Sequence, residues 1–436
     1  MSARLDWAST RAGPIRGELR VPGDKSVSHR AIMLAGLAEG VSEIEGFLEG
    51  EDTLATAAAF ASMGVHIETP SPGRRRVHGV GLHGLAVPAG PIDCGNAGTG
   101  MRLLAGLLAG QAFDTTLIGD ASLSARPMGR VIEPLRAMGA SIEAQPGGFP
   151  PLLVHGGRAM RGLVHAPQVA SAQVKSAILL AGLYARGTTE VREAHPTRDY
   201  SERMLAAFGW PVEFSPGRVR LEGGHRLDAT DVVIPADFSS AAFFIVAASL
   251  VPGSDLLLRS VGVNPRRTGL LAALRMMGAD ITEQNPHEQG GERLADLRIR
   301  HAPLHGIDVP QALVADMIDE FPILFVAAAA ASGSTRISGA SELRVKESDR
   351  IASMARGLAA LGVEVSEQAD GALIRGGTIG SGRIEAAGDH RVAMSFAVAG
   401  LVADGEVEVG DCANVATSFP GFFDLANGSG FSIRAV

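Results

Sequence analysis

Residues 62–68 read SMGVHIE: the end of an Ala-rich run, a glycine, then residues that alternate polar and apolar. Glycine just past a helix takes the left-handed conformation that ends it, and alternation at period two marks a half-buried strand. The same pattern returns as AMGASIEA, AFGWPVEF, MMGADITE, ALGVEVSE and GSGFSIRA, centred on Gly139, Gly209, Gly278, Gly362 and Gly430. A second series of helix ends followed by strands runs through Gly40, Gly110, Gly187, Gly253, Gly333 and Gly405. Each series recurs about every 70 residues, so the chain reads as six copies of one unit holding two helices. Such a unit is too large for a solenoid rung, and six of them imply an α/β protein of two domains with three units each.

Composition agrees with a two-domain enzyme. At 436 residues the chain exceeds what one core usually serves, and 46% apolar with 20% charged residues permits large cores. No stretch reaches the roughly 18 uninterrupted apolar residues of a membrane span, and the first residues form neither a signal region nor a transit helix, so a cytoplasmic protein with no membrane partner is expected. The net charge of −8 with 5% aromatics disfavours a nucleic-acid reader. Cys94 and Cys412 are too few for a disulfide framework. The histidines show no metal-ligand spacing and no dinucleotide fingerprint follows a strand, so neither metal nor cofactor is expected. Asp316, Asp319 and Glu320 could chelate a hard cation, but one loop rarely suffices.

Lysine is confined to Lys25, Lys175 and Lys346 among 39 basic residues. A chain that otherwise uses arginine for positive charge has reason to keep lysine where a compact, titratable ammonium matters. Six Ala-rich apolar runs each begin with a polar head: GDKSVSHRA, GNAGTGMR, SAQVKSA, ADFSSAA, DMIDEFP and GDHRVAM. Asp, Ser and Asn there are N-caps. Capping does not explain Lys25, Arg30, Arg102, Gln173, His390 and Arg391 in the same turns, because cations at a helix start oppose its dipole and imply a compensating anion. The Lys25-Ser26 pair is not a P-loop, which would need glycine where Leu19 and Asp24 stand. The run SELRVKESDR, alone, reads as a solvated helix start capped by Ser348 or Glu347.

In this order, PGDKSVSHR, GNAGTGMR, RPMGRVIEPL, SAQVKSA, TRDYSERML, MIDEFP, RVKESDR and GDHRVAMSF resemble the 5-enolpyruvylshikimate-3-phosphate synthase family over nearly the whole chain. SAQVKSA and ATSFP are similar to its bacterial subgroup called class II. The resemblance implies a two-domain inside-out α/β barrel, the enolpyruvyl transferase fold, with three βαβαββ units per domain. It places residues 1–22 and 237–436 in domain I and 23–236 in domain II, with the active site in the cleft between them. The implied reaction transfers the enolpyruvyl group of phosphoenolpyruvate to the 5-hydroxyl of shikimate 3-phosphate, in a monomer without cofactors.

Residue by residue, the resemblance implies that shikimate 3-phosphate is held by Lys25, Ser26, Arg30, Ser171, Gln173, Arg198, Asp319 and Lys346. It implies that phosphoenolpyruvate is held by Lys25, Gly98, Arg126, Gln173, Arg350 and Arg391. Catalysis falls to Asp319 as acceptor of the hydroxyl proton and Glu347 as proton exchanger at the methylene carbon, with Lys25 assisting and His390 as relay. Arginine forks suit two substrates that each carry phosphate and carboxylate. His29 is left to packing. Thr417 stands where many members have lysine, and Ala172 where others have a second serine. Two rival readings are a UDP-N-acetylglucosamine enolpyruvyl transferase, opposed by the absence of a cysteine in DASLSARP, and a silent phosphate-ligand binding module, opposed by two acids among the cations.

Overall fold

Asp24 shows how the polar heads start helices: its carboxylate accepts from the Val27 N–H at 2.9 Å and opens α1, Lys25–Leu37. The computed structural model describes residues 5–169 and 171–436. Further helices are α2 (Glu51–Ser62), α3 (Gly98–Leu108), α4 (Ala121–Ser124), α5 (Gly129–Ala137), α6 (Ala172–Gly182) and α7 (Tyr200–Ala207). Then come α8 (Phe238–Leu250), α9 (Gly269–Met276), α10 (Phe321–Ala330), α11 (Arg350–Ala360), α12 (His390–Gly400) and α13 (Phe422–Gly428). The helices behind the polar heads, α1, α3, α6, α8, α10 and α12, are apolar nearly all round and therefore buried. In α8 every residue but Leu250 is buried, and in α10 every residue but Ala330.

The sheets repeat one plan six times. Strand Val164–His165 leads through α6 to Thr188–Arg192, its parallel neighbour, and α7 leads on to the hairpin Val212–Ser215 and Arg218–Glu222, whose second strand pairs with both Thr188–Arg192 and Val212–Ser215. Ile92–Asp93, α3, Thr115–Ile118, α5, Ser141–Gln145 and Phe149–His155 follow the same order. Three repeats borrow a strand. Arg16–Leu19 pairs parallel to Asp255–Gly262 after α8, and Leu227–Asp228 with Val232–Val233 pairs parallel to Ala38–Glu45 after α1. Trp7–Ser9 lies between Val407–Gly410 and Ile433–Ala435 in the α12 repeat. In the α10 repeat, isolated parallel bridges at His305 and Asp308 stand in for the first strand. The βαβαββ unit that the resemblance implies is therefore present six times, once for each copy in the glycine series.

By internal packing the chain divides into two compact units. One gathers the residues up to Pro22, Ala236–His287 and Arg293–Val436, and the other Gly23–Pro235 with Glu288–Glu292. Each has its own apolar core, around α8, α10 and α12 in the first and around α1, α3 and α6 in the second. Close helix contact depends on small residues: a Cβ at Gly106 of α3 would lie 2.1 Å from the Ala177 carbonyl of α6. Of the repeat glycines, Gly110 alone does not adopt positive φ. A Cβ there would fall 2.2 Å from the Tyr184 ring, so that glycine answers to packing.

Candidate active site

In the unit built on α1, α3 and α6, the three helix starts carry one polar network. Lys25, in the first turn of α1, pairs with Asp52 in the first turn of α2. Ser26 is half-buried beside it, and its carbonyl accepts from Arg30 Nη1 at 2.8 Å. Arg30 also donates through Nε to Ser201 Oγ and through Nη2 to Ser176 Oγ, both at 2.8 Å, and packs over the Tyr200 ring. Burial, followed by the nearby Arg198 charge, lowers the Arg30 pKa to about 10. Arg30 is thus a buried strut of the network, while Lys25, Ser26 and Arg198 keep partial exposure.

At the start of α3, Arg102 Nη1 donates to the Gly98 carbonyl at 3.3 Å and to Gln173 Oε1 at 3.0 Å, and Gln173 Nε2 donates to Thr99 Oγ1 at 2.8 Å. Arg126, on the turn after α4, donates to Asn96 Oδ1 at 2.6 Å and Ser122 Oγ at 3.0 Å. Two guanidinium groups converge on Gly98: a Cβ there would stand 3.0 Å from Arg102 Nη1 and 3.2 Å from Arg126 Nη1. Ser171 caps α6 by accepting from the Val174 N–H. His29 is buried and hydrogen-bonds Thr56 Oγ1 at 2.7 Å. Burial, then the charges of Lys25 and Arg30, depress its pKa well below 6.5 and hold it neutral.

In the other unit the starts of α10, α11 and α12 are joined by charge. Asp319 Oδ1 lies 3.6 Å from Lys346 Nζ and 3.5 Å from Arg350 Nη1. Arg391 Nη1 donates to the Asp319 carbonyl at 3.0 Å and approaches Glu320 at 3.5 Å. Arg350 is 1% exposed, donating to Asp389 Oδ2 at 2.8 Å and to Glu347 Oε2 at 2.5 Å. Burial would lower its pKa, but Asp389, Glu347 and Asp319 outweigh burial and raise it. The Asp389 carboxylate also caps α12 through the Arg391 and Val392 N–H groups and accepts from Ser348 Oγ at 3.0 Å. His390 follows as the buried first residue of α12. Thr417 is buried, its hydroxyl donating to the Asn414 carbonyl at 2.7 Å.

Two readings from the sequence change, those of the SELRVKESDR run and of Lys175. The SELRVKESDR run is not a solvated helix start: Arg350 is buried, and the cap of α11 is Asp349, which accepts from the Ala352 N–H at 3.0 Å. Asp316, Asp319 and Glu320 do not gather around a common point. Each faces a cation instead, Asp316 facing Arg266 at 3.5 Å and Glu320 facing Arg267 at 2.7 Å. Lys175 lies inside the fold between Glu193 and Glu202, 2.8 Å from each. A buried cation needs compensating acids, and two carboxylates on neighbouring segments supply them. Asp52, Asp389 and Glu320, which orient Lys25, Arg350 and Arg391, carry no signal in local spacing because their partners come from other elements.

Comparison with known proteins follows this geometry. The family model described as EPSP synthase (3-phosphoshikimate 1-carboxyvinyltransferase) matches residues 10–425. The chain is 67% identical over 429 residues to a 3-phosphoshikimate 1-carboxyvinyltransferase of Xanthomonas campestris pv. campestris, covering 98% of each chain. It is 66% identical over 435 residues to the protein of that name from Xanthomonas euvesicatoria pv. vesicatoria, covering 100% of this chain and 99% of the other. A solved EPSP synthase from Acinetobacter baumannii superposes with a TM-score of 0.90 at 48% identity, over 99% of this chain and 100% of that one. With six βαβαββ units, charged helix starts and full-length relatives in agreement, the chain belongs to the EPSP synthase family.

Proposed function

We infer that the chain transfers the 1-carboxyvinyl group of phosphoenolpyruvate to the 5-hydroxyl of shikimate 3-phosphate, releasing phosphate, as its family membership indicates. The observation that carries the reading is the set of cations at or beside helix starts, Lys25, Arg102 and Arg126 in one unit and Lys346, Arg350 and Arg391 in the other, with the carboxylate of Asp319 beside Lys346 and Arg350. Both substrates are polyanions, and forks of this kind bind phosphate and carboxylate through paired N–H groups. In this reading Lys25, Ser26, Arg30, Ser171, Gln173, Arg198, Asp319 and Lys346 take shikimate 3-phosphate. Lys25, Gly98, Arg126, Gln173, Arg350 and Arg391 take phosphoenolpyruvate. The reading needs no cofactor and treats the chain as a cytoplasmic monomer.

The chemistry is addition followed by elimination. Asp319 accepts the proton of the 5-hydroxyl as its oxygen attacks C2 of phosphoenolpyruvate, while C3 gains a proton to give a tetrahedral phospho-ketal. Loss of that proton from C3 then expels phosphate. Glu347, on Arg350, is the assigned proton exchanger at C3, with Lys25 assisting and His390 as relay. Phosphate release from phosphoenolpyruvate, followed with shikimate 3-phosphate and separately with UDP-N-acetylglucosamine, tests the reading. Release with the first alone is expected; release only with the sugar nucleotide, or with neither, would overturn it.

A further inference from the structure

On the sheet that follows α1, the short strand His66–Glu68 lies at the edge and pairs antiparallel with Arg74–Val80. The register sets His66 directly opposite His78, and Glu68 is two residues further along the same face. His78 Nε2 is 2.7 Å from Glu68 Oε1, and His66 Nε2 is 3.6 Å from that oxygen. The two imidazole centroids are 4.9 Å apart and tilted by 47°. One donor atom from each of the three residues falls within 4.8 Å of the others. None of the three belongs to the helix starts assigned to the substrates.

We propose that His66, Glu68 and His78 form a site for a divalent first-row cation of borderline softness, with Zn²⁺ as the type ion. Two imidazoles and one carboxylate are the donor set such ions take, and three protein ligands leave a fourth position for water. Bonds of about 2.0–2.1 Å in a tetrahedral site set donors about 3.3–3.4 Å apart. Two of the present separations, 2.7 Å and 3.6 Å, bracket that value, and the two imidazole donors lie within 4.8 Å of each other. A hydrogen bond between His78 and Glu68 accounts for two of the residues but leaves the exposed His66 without a reason to lean toward the same oxygen. Arg76 opposes a cation, yet it engages the other oxygen, 3.5 Å from Glu68 Oε2, while its Nε donates to Glu43 at 2.6 Å. That contact orients Glu68 with Oε1 toward the imidazoles, as an outer-shell partner does. A bound ion would clip the edge strand to its neighbour and displace the proton shared by His78 and Glu68.

The test uses the untagged full-length chain. Zn²⁺ titration by calorimetry should show one ion more per chain than the His66→Ala/His78→Ala variant binds. Co²⁺ should give visible d–d bands that the variant lacks, and Glu68→Gln should weaken Zn²⁺ about tenfold or more. Both histidines are partly exposed, so the variant keeps the fold, and its turnover should match that of the parent because neither residue serves the reaction. Equal Zn²⁺ stoichiometry and Co²⁺ spectra in parent and variant, or no binding by the parent, overturn the site. Either result leaves the carboxyvinyl transfer reading untouched.

Discussion

Arg350 is the side chain on which one set of helix starts turns. Buried against Asp389, it also bonds Glu347 and lies 3.5 Å from Asp319, so it positions both proposed proton carriers. Removing one partner of a buried ion pair leaves an uncompensated charge, and Arg350→Met should cost about 3–5 kcal/mol in urea unfolding. Asp389 adds a pH signature. Burial alone would raise its pKa, but Arg350 outweighs burial and holds the carboxyl below its ordinary 3.8. An acid depressed in the fold contributes stability above its unfolded value, and that contribution is lost as pH falls through the folded value. Urea midpoints should therefore drop on acidification below about pH 4, and Asp389→Asn should flatten that slope. For the chemistry, Asp319→Ala should cut kcat by roughly 10² or more, read as steady-state phosphate release; near-parental turnover would remove it as the base. The sequence singled out Asp319 and Arg350 by residue type and resemblance. It read Asp389 only as the N-cap of GDHRVAM, since a carboxylate that completes a pair 39 residues upstream has no local pattern.

The elements were legible where one physical requirement repeats. Gly362 closes α11 at a φ of +79° with nothing within 4 Å of an added Cβ, so only backbone strain opposes a side chain there. Gly362→Ala should cost about 1–2 kcal/mol in chemical denaturation, and Gly362→Asn less, because asparagine tolerates the left-handed region. Gly110 occupies the same place in its own series yet answers to the Tyr184 ring. Gly110→Ala should cost about 1–3 kcal/mol by overpacking, and Gly110→Asn should be worse instead of better. The opposite response to asparagine separates the two causes. Periodicity revealed both glycines but could not tell them apart, because the ring that needs Gly110 comes from the end of another helix. The cap of α11 was missed for a similar reason: Ser348 and Asp349 both satisfy the residue preference, and only the backbone decides which one meets the Ala352 N–H.

At the scale of the molecule, each compact unit holds one of the two tryptophans. Trp7 is 3% exposed and stacks on Phe422 with centroids 5.6 Å apart, in the core around α8, α10 and α12. Trp210 is 2% exposed and donates to the Glu222 carbonyl at 3.1 Å, in the core around α1, α3 and α6. Trp210→Phe therefore leaves a reporter for the first core, and Trp7→Phe one for the second. Periodicity could count six repeats but not which strands complete three of the sheets, because those strands lie far away in the chain, as Trp7–Ser9 is beside Val407–Gly410. Separate apolar clusters should behave as separate cooperative units. Leu324→Ala removes a fully buried side chain of α10 and should shift the Trp7 unfolding curve by about 2–5 kcal/mol while the Trp210 curve stays in place. Fluorescence-monitored urea titration of the two single-tryptophan backgrounds reads both curves, and equal displacement would show one cooperative unit.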